Sequence, residues 1–341
     1  MARATIRDVA ERANMSVSTI NRVLHAPEKV RKETLNLVLQ SAQAVGFYGI
    51  ATIENALKAR PKIRLGFLLL QRHRAFYQSL GRALINAANA VQDHDVVTHF
   101  DFLDEPTPQN VSEGLLRLAE KSDALGVVAP EHPTVAATVE QLAAGGVRTF
   151  ALVSRLTARC GVGYVGLDAW KVGRTSGWAF DNLCPNPGKI AILVGNHRFR
   201  CQETNESGFR SYFREHPRGF SLLEARSTFE TTSIARDVTE VLLGENPDLV
   251  GLYVSGGGIS GAMAALRDSG RAKSIFAVGY DLTEVTRAAL IDGSLNFVIS
   301  HPIQAMANEA VRSMIWWRGA GRDSPPPAVA LPFEIYTPEN L

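Results

Sequence analysis

The sequence predicts two kinds of structure in one chain: a small all-α helix-turn-helix domain, followed by an α/β core of two lobes that are each built on a doubly wound parallel sheet. Residues 5–46 place apolar side chains at helical spacing, whereas from Ile63 onward apolar runs of strand length alternate with longer amphipathic stretches. Charge divides the chain at the same place. Residues 1–62 hold ten Lys and Arg against five Asp and Glu, so basic charge that could meet an anionic polymer is concentrated at the N-terminus.

Local signals predict the first two helices. Thr5 and Asp8 have the spacing of a capping box at the start of a helix. Asn14 can adopt the left-handed conformation and turn the chain, and Ser16 can then cap a second short helix over 17–24. Two helices joined by a tight turn predict a helix-turn-helix motif.

A third helix is predicted from about residue 32 to 45, and Gly46 ends it. Residues 52–59 could make two helical turns that would be marginal in isolation, and Pro61 interrupts them, which predicts a linker. The expected domains are the helix-turn-helix domain 1–46, the linker 47–62 and the core 63–341.

Strand-length apolar runs recur through the core, with amphipathic segments of helical length between them. The runs are 63–70, 96–102, 124–129, 149–153, 164–167, 189–194, 222–225, 249–254, 275–279 and 297–299, and a last strand is expected over 328–336. Ten strands are many for one sheet, so we expect a break near Asp168. The first lobe would then span about 63–167 plus part of 300–320, and the second about 168–299 plus the C-terminal strand. Ligands of such sheets bind at the carboxyl ends of the strands, which places the expected site in a cleft between the lobes.

Composition excludes several classes of protein. With 45% hydrophobic and 21% charged residues, the chain resembles an ordinary globular protein. Cys160, Cys184 and Cys201 lack zinc-site spacing, and their odd number argues against a disulfide framework. The sequence shows neither a signal peptide nor a run of membrane-spanning length, so we expect a cytoplasmic protein without a bound metal or cofactor.

One motif suggests an enzyme instead. The stretch VSGGGISG over 254–261 contains a G-x-G-x-x-G match after a predicted strand, and Asp281 follows about 20 residues later, as in a dinucleotide-binding fingerprint. Such a fingerprint normally belongs to the first strand-turn-helix unit of its domain, whereas this match follows about the eighth predicted strand. No tyrosine-lysine pair or oriented histidine accompanies it. An NAD(P)-dependent oxidoreductase therefore remains an alternative that the sequence does not favour.

The N-terminal residues resemble the LacI family of bacterial transcription regulators. The resemblance rests on TIRDVAERA over 5–13 and SVSTINRVL over 16–24, which follow the family pattern T-x-x-D-V-A-x-x-A-G-V-S-x-x-T-V-S-R-V. It implies a hinge and a two-lobed core like that of periplasmic binding proteins. The family's usual role is a repressor whose operator affinity is set by a small molecule bound between the lobes.

The resemblance also implies DNA contacts. The second helix would enter the major groove with Val17, Ser18 and Arg22 at base-reading positions, where arginine can pair with guanine and valine can meet a thymine methyl group. The expected phosphate contacts are Thr5, Arg7, Ser16, Thr19 and Asn21. Leu57 is the candidate wedge for the minor groove, although the segment FYGI over 47–50 departs from the family's hinge and Leu57 lies about one residue late. The alternative is that Leu57 packs on the protein.

For the effector, the resemblance points to the loop after the first core strand and to strand ends in both lobes. The candidate contacts are Gln71, Arg72, Phe76, Tyr77, Arg155, Asn205, Gly256, Asp281 and His301. Asn205, Arg155, His301 and the glycines at 256–257 replace the family's usual residues. The altered set favours a hydroxyl-bearing ligand such as a sugar, polyol or sugar acid, and Arg72, Arg74 and Arg155 leave an acidic one open.

We therefore expect a homodimer on pseudo-palindromic operator DNA, located at the bacterial nucleoid. The sequence ends at Leu341 without a heptad helix, which favours a dimer over a tail-assembled tetramer. A solute-binding protein without DNA activity is a second alternative, which the N-terminal helices oppose.

Overall fold

The N-terminal part of the chain is helical in the computed structural model, which describes residues 4–58, 60–321 and 324–341. Its helices are α1 (Ile6–Arg12), α2 (Val17–His25), α3 (Lys32–Val45) and α4 (Ile50–Lys58). The chain divides into two compact units, a helical unit of 1–63 with 91–96 and a core of 64–90 with 97–341.

The capping and turn signals act as the sequence predicts. Asp8 accepts a hydrogen bond from Thr5 N at 2.7 Å, and Asp8 N donates to Thr5 Oγ1 at 3.4 Å, which completes the capping box of α1. Asn14 has a φ of 52°, so it turns the chain in the left-handed conformation. Ser16 Oγ accepts from Thr19 N at 3.2 Å and caps α2. Gly46, with a φ of 69°, ends α3.

One apolar cluster holds the helical unit together. Val9, Ile20, Val38 and Phe47 are buried in it, and Ile53 brings α4 into the same cluster. The segment that we expected to be a marginal linker is therefore a helix of nine residues, because Ile53 gives it a buried face on which to fold. Residue 59, where the predicted helical segment would end, lies outside the described residues.

The core consists of two sheets covered by helices, as the fold class requires. Its strands are β1 (Lys62–Leu70), β2 (Asp95–Leu103), β3 (Ala124–Val127), β4 (Arg148–Leu152), β5 (Gly163–Leu167), β6 (Lys189–Val194), β7 (Ser221–Leu222), β8 (Arg226–Ser227), β9 (Leu249–Val254), β10 (Phe276–Tyr280), β11 (Phe297–Ser300), β12 (Ala328–Leu331) and β13 (Glu334–Tyr336). Its helices are α5 (Ala75–Asn89), α6 (Pro108–Ala119), α7 (Pro133–Ala144), α8 (Ala169–Leu183), α9 (Arg200–Glu215), α10 (Thr232–Glu245), α11 (Ile259–Asp268), α12 (Glu284–Asp292) and α13 (Ile303–Gly319).

Each lobe contains one sheet. The first has the strand order β12-β5-β4-β3-β1-β2, and the second has β13-β11-β10-β9-β6-β7, with β8 paired to β6. The chain crosses between the lobes three times: after β5, after β11 and between β12 and β13. α13 returns to pack on strands of the first sheet. Segments that follow β1 and β4 in the first lobe contact segments that follow β8 and β6 in the second, and these contacts border the cleft between the lobes.

Two predicted strands differ from the structure. The run 222–225 is replaced by the two short strands β7 and β8. The strand expected over 328–336, which we assigned to the second lobe, is two strands: β12 pairs parallel with β5 in the first lobe, and β13 pairs antiparallel with β11 in the second. Pro332 lies between them and has no backbone N–H for a ladder, so one continuous strand is not available there.

Candidate functional sites

One side of α2 is exposed in the described part of the helical unit. It carries Val17, Ser18, Asn21 and Arg22, which are all exposed. Val17 is 41% exposed although it is apolar, whereas Ile20 and Val23 on the opposite side are fully buried. Among the described residues, the side chains of Ser18, Asn21 and Arg22 have no hydrogen bond or ion pair. The structure thus presents three candidate base-reading side chains on one open helical surface.

Four of the five candidate phosphate contacts lie near the starts of α1 and α2, whereas Asn21 lies in the middle of α2. The hydroxyl groups of Ser16 and Thr19 lie 2.9 Å apart and hydrogen bond to each other. Thr5 caps α1, and Arg7 is exposed one residue inside that helix. Helix starts present backbone N–H groups, so they favour anions such as phosphate.

Leu57 is half-buried and packs against the apolar cluster of the helical unit. The leucine therefore has the position of the alternative interpretation, in which it packs on protein. Minor-groove insertion remains a prediction, and it would require Leu57 to leave this cluster.

In the first lobe, the loop after β1 turns sharply at Gln71, which has a φ of 33° and donates its N–H to Leu103 O at 2.8 Å. Arg72 is exposed and lies over the Phe102 ring, 4.9 Å from its centroid. At the start of α5, the rings of Phe76 and Tyr77 are half-buried with centroids 5.2 Å apart. Burial raises the pKa of the Tyr77 phenol, so this hydroxyl stays protonated.

Asp281 and His301 bind each other at the cleft. His301 Nδ1 lies 2.7 Å from Asp281 Oδ1, and the backbone N–H of His301 donates to the same oxygen at 3.0 Å. The imidazole is buried between Phe76 and Tyr280, with centroid distances of 5.4 and 5.3 Å. The Asp281 carboxylate accepts a hydrogen bond from Nδ1–H, and the Nε2 atom has no partner among the described residues. Asp281 therefore orients His301, and a neutral imidazole in this tautomer leaves Nε2 as an acceptor.

An ion pair joins the two lobes across the cleft. Arg74, which follows β1 in the first lobe, donates from Nη1 to Glu230 Oε2 of the second lobe at 2.7 Å. Gln202 Nε2 donates to Glu230 Oε1 at 2.7 Å, and the backbone N–H of Gly257 donates to the same atom at 3.3 Å. Cys201 N also donates to Ser154 Oγ at 3.3 Å between the lobes. The cleft is thus closed by contacts within the chain.

The glycine motif has a packing explanation. Gly258 has a φ of 93°, which a residue with a side chain rarely adopts, and it caps α11. A Cβ atom at Gly261 would overlap the carbonyl oxygen of Thr232, so this glycine permits the close approach of α11 to α10. Gly256 lies beside Gln202, and the Gly257 amide binds Glu230. The Gly257 amide, next to the candidate contact Gly256, is therefore occupied by a carboxylate of the chain itself.

Two other candidate contacts have structural partners. Asn205 is 1% exposed, and in the amide orientation that satisfies both partners its nitrogen donates to Cys201 O at 3.1 Å and Ala169 O at 2.8 Å. Arg155 is exposed and its guanidinium lies over the Tyr164 ring, 3.9 Å from the centroid. The structure therefore gives Asn205 a role in joining α9 to the start of α8.

Sequence reasoning missed Glu230 and Gln202 as cleft residues and did not select Arg74 for the site. Glu230 lies in a polar loop between β8 and α10, where no hydrophobic period or motif distinguishes it from a surface glutamate. Its function in the cleft depends on Arg74, which lies 156 positions away in the sequence.

The described residues contain no group of three or more His, Cys, Asp or Glu side chains that could hold a metal ion. Within the same residues, no helix is long and apolar enough to cross a membrane. Burial raises the pKa of the Cys201 thiol to about 12, so this cysteine is a poor nucleophile near neutral pH.

Two family descriptions match this chain. Residues 5–49 match the bacterial regulatory proteins of the lacI family, and residues 65–315 match the periplasmic binding protein domain. A curated relative, the xylose/arabinose-binding protein XylF of Sulfolobus acidocaldarius, is 25% identical over 144 residues, which are 40% of this chain. The chain spans about a third of that relative's length, 35%.

Solved structures share the fold of the core. An ABC transporter solute-binding protein from Burkholderia graminis in complex with D-arabinose has a TM-score of 0.75 at 17% identity, covering 83% of this chain and 98% of that protein. GanP, a glucose-galactose binding protein from Geobacillus stearothermophilus, has a TM-score of 0.73 at 16% identity, covering 82% and 99%. The fold class predicted from the sequence is confirmed. With a periplasmic binding protein domain over most of its length and a lacI-type helix-turn-helix domain before it, this chain belongs to the lacI family of bacterial DNA-binding regulators.

Proposed function

We propose that this regulator is a repressor that binds its operator as a homodimer and responds to a small polyhydroxyl effector held between the lobes of the core. The observation that carries the proposal is that one chain has both an exposed helix face on α2, whose polar side chains have no partner among the described residues, and a cleft lined by polar groups from two lobes. Binding of a ligand in the cleft would bias the orientation of the lobes, which is an equilibrium that DNA can bias as well.

For DNA, we assign base reading to Val17, Ser18 and Arg22. Arginine offers two parallel donors to guanine O6 and N7, whereas the short serine and the apolar valine can meet other base edges and a thymine methyl group. Phosphate contacts by Arg7 and the helix starts would set the register. Two copies of α2 on a two-fold axis would read a pseudo-palindrome.

For the effector, the chemistry of the cleft favours a ligand rich in hydroxyl groups. His301 Nε2 is buried without a partner among the described residues and is an acceptor in the neutral imidazole that donates from Nδ1 to Asp281. The half-buried ring of Phe76 lies beside the imidazole, 5.4 Å away between centroids. An acceptor next to an aromatic ring suits a sugar, which has hydroxyl groups on its edge and an apolar face. The structural neighbours that bind D-arabinose or glucose and galactose support the same class of ligand.

The function can be tested in two steps with the full chain. A thermal-shift screen of pentoses, hexoses, polyols and sugar acids should identify a stabilising ligand, since a ligand that binds only the folded state raises the unfolding temperature. Selection from random DNA should then enrich a pseudo-palindromic sequence, and the ligand should change its Kd. Failure to enrich any sequence would contradict the regulator assignment, and an unchanged Kd with a bound ligand would contradict the coupling.

The structure favours neither alternative function. An NAD(P)-dependent oxidoreductase would need the glycine loop for a pyrophosphate, but the Gly257 amide binds the Glu230 carboxylate and Gly261 serves the packing of α11 on α10. We therefore propose a binding role without catalysis. A solute-binding protein without DNA activity would leave the open face of α2 without a function. Nicotinamide-dependent turnover, or absence of any DNA preference, would restore one of these alternatives.

A further inference from the structure

The carboxylate of Glu230 lies in a receptor that both lobes build. Arg74 supplies a guanidinium from the first lobe at 2.7 Å, and the second lobe supplies the Gln202 amide at 2.7 Å and the Gly257 N–H at 3.3 Å. Arg74 and Glu230 are only 22% and 16% exposed. Three donors directed at one carboxylate in a mostly buried place are the arrangement by which proteins recognise a carboxylate ligand.

The floor of this receptor is shaped for a carboxylate. A Cβ atom at Gly195 would overlap Glu230 Oε1, and one at Gly257 would overlap Glu230 Oε2. Neither glycine has a φ in the left-handed region, so space rather than backbone conformation accounts for both. The two glycines thus leave the space that the carboxylate oxygens of Glu230 occupy.

The loop that delivers Glu230 is strained. Phe229 and Glu230 have φ values of 49° and 60°, which are two successive left-handed residues without a glycine. Phe229 is 63% exposed, so little packing holds this turn. Thr228 anchors the start of the loop, because its buried hydroxyl donates to Gly257 O at 2.8 Å, and the Glu230 carboxylate adds the polar contacts at the exposed turn. If another carboxylate takes over the contacts of Glu230, the turn at 229–230 can relax towards solvent.

Building on the proposed function, we propose that the effector is a carboxylate-bearing polyhydroxyl compound, a sugar acid, whose carboxylate replaces that of Glu230 in this receptor. When Glu230 leaves, the Arg74 guanidinium loses its counter-charge in a mostly buried site, which is unfavourable. A neutral sugar does not restore that charge, whereas an acidic one does. Glu230 then competes with the carboxylate of the effector for Arg74. In the absence of effector, the ion pair between Glu230 and Arg74 holds the two lobes together.

Calorimetric titration of the full chain with matched probes tests this exchange. The probes are D-galacturonate against D-galactose and D-glucuronate against D-glucose, pairs that differ in the carboxylate at C6. We expect at least one acid to bind more tightly than its neutral counterpart. Glu230→Ala should strengthen that binding by about tenfold or more, the factor that one charge-assisted hydrogen bond supplies, without improving the neutral sugar. Arg74→Gln should abolish the preference for the acid.

Two variants serve as controls. Glu230→Gln keeps the size of the side chain but not its charge, and should strengthen acid binding in the same direction if the alanine variant is poorly folded. Glu240→Ala removes a surface glutamate whose ion pair with Arg236 is 2.8 Å long, and should change nothing.

Each remaining outcome counts against the exchange. Weaker binding of acid and neutral probes alike in both Glu230 variants would make Glu230 a direct ligand of hydroxyl groups and overturn it. If only neutral sugars bind and alter operator affinity, the proposed function stands and this inference fails. If no probe of either kind binds the wild type or the Glu230 variants, the acid class is rejected, whereas the DNA selection tests the regulator role separately.

Discussion

The exposed side of α2 and the cleft of the core both carry candidate ligand contacts, but they hold their polar side chains differently. On α2, Ser18, Asn21 and Arg22 have no partner within the described residues and face solvent. In the cleft, Glu230 and Arg74 are bonded to each other, as are Asp281 and His301. DNA can bind the exposed face of α2 without breaking any of these contacts. A ligand of the cleft must instead replace hydrogen bonds and ion pairs that the chain makes with itself.

The difference shows that a side chain can be a candidate contact and a structural element at once. Removing a residue from the open face should cost binding and leave stability unchanged. Removing one from the cleft should cost stability before any ligand is added. The following substitutions test this contrast, from the largest expected effect to the smallest.

Gly261→Ala should destabilise the core by about 3 kcal/mol or more. The new methyl group would overlap the Thr232 carbonyl oxygen and force α11 away from α10, which is overpacking against backbone. Gly244→Ala on α10 is the matched control, because nothing lies within 4 Å of its added Cβ. It should be neutral or stabilising by up to about 1 kcal/mol. Urea unfolding followed by circular dichroism measures both, and equal stability of the two variants would contradict the packing role of the motif.

Asp281→Ala should destabilise the core by about 2 kcal/mol without any ligand. The substitution leaves two buried donors of His301, the ring Nδ1–H and the backbone N–H, without their acceptor. It also puts alanine at a φ of 60°. Asp281→Asn keeps an acceptor oxygen and tolerates the left-handed conformation, so its cost should be under about 1 kcal/mol. If both variants have the same free energy of unfolding as the wild type, the hydrogen bonds between Asp281 and His301 do not stabilise the core.

Arg22→Ala should weaken discrimination among operator sequences by about 1 to 3 kcal/mol per half-site and leave the free energy of unfolding unchanged. Arg7→Ala is the variant for comparison. It should weaken binding to all sequences alike and reduce the slope of log affinity against log salt concentration by about one per half-site. Selection from random DNA with each variant measures preference. An unaltered preference after Arg22→Ala would remove this residue from base reading.

Asn14→Ala should destabilise the helical unit by about 1 kcal/mol. Alanine is strained at the φ of 52° that turns the chain between α1 and α2, whereas asparagine tolerates it and glycine adopts it freely. Asn14→Gly is therefore the control and should match the wild type. The unfolding temperature of the full chain, followed by the operator affinity, measures the effect. An unchanged unfolding temperature for Asn14→Ala would show that the turn does not depend on asparagine at this position.

Sequence reasoning was most informative for the helical unit because its determinants are local. The capping box of Thr5 and Asp8, the turn at Asn14 and the cap at Ser16 each lie within three residues of their partners, so each was readable from spacing alone. The helix α4 was underestimated because its stability comes from burial of Ile53, which is a tertiary contact. The divided strand at Pro332 was missed because both sheets accept strands of the same apolar composition.

By itself, the sequence determined the two-part architecture, the open face of α2 and the alternation of strands and helices that makes a lobed core. These properties follow from periodicity and from short-range hydrogen bonds, which a linear pattern contains. Only the tertiary structure decided that Glu230 reaches Arg74, that Asp281 orients His301, and that the G-x-G-x-x-G match packs two helices and binds a carboxylate of its own chain. Those contacts join residues 20 to 156 positions apart, and their formation depends on how the lobes close, which no local spacing encodes.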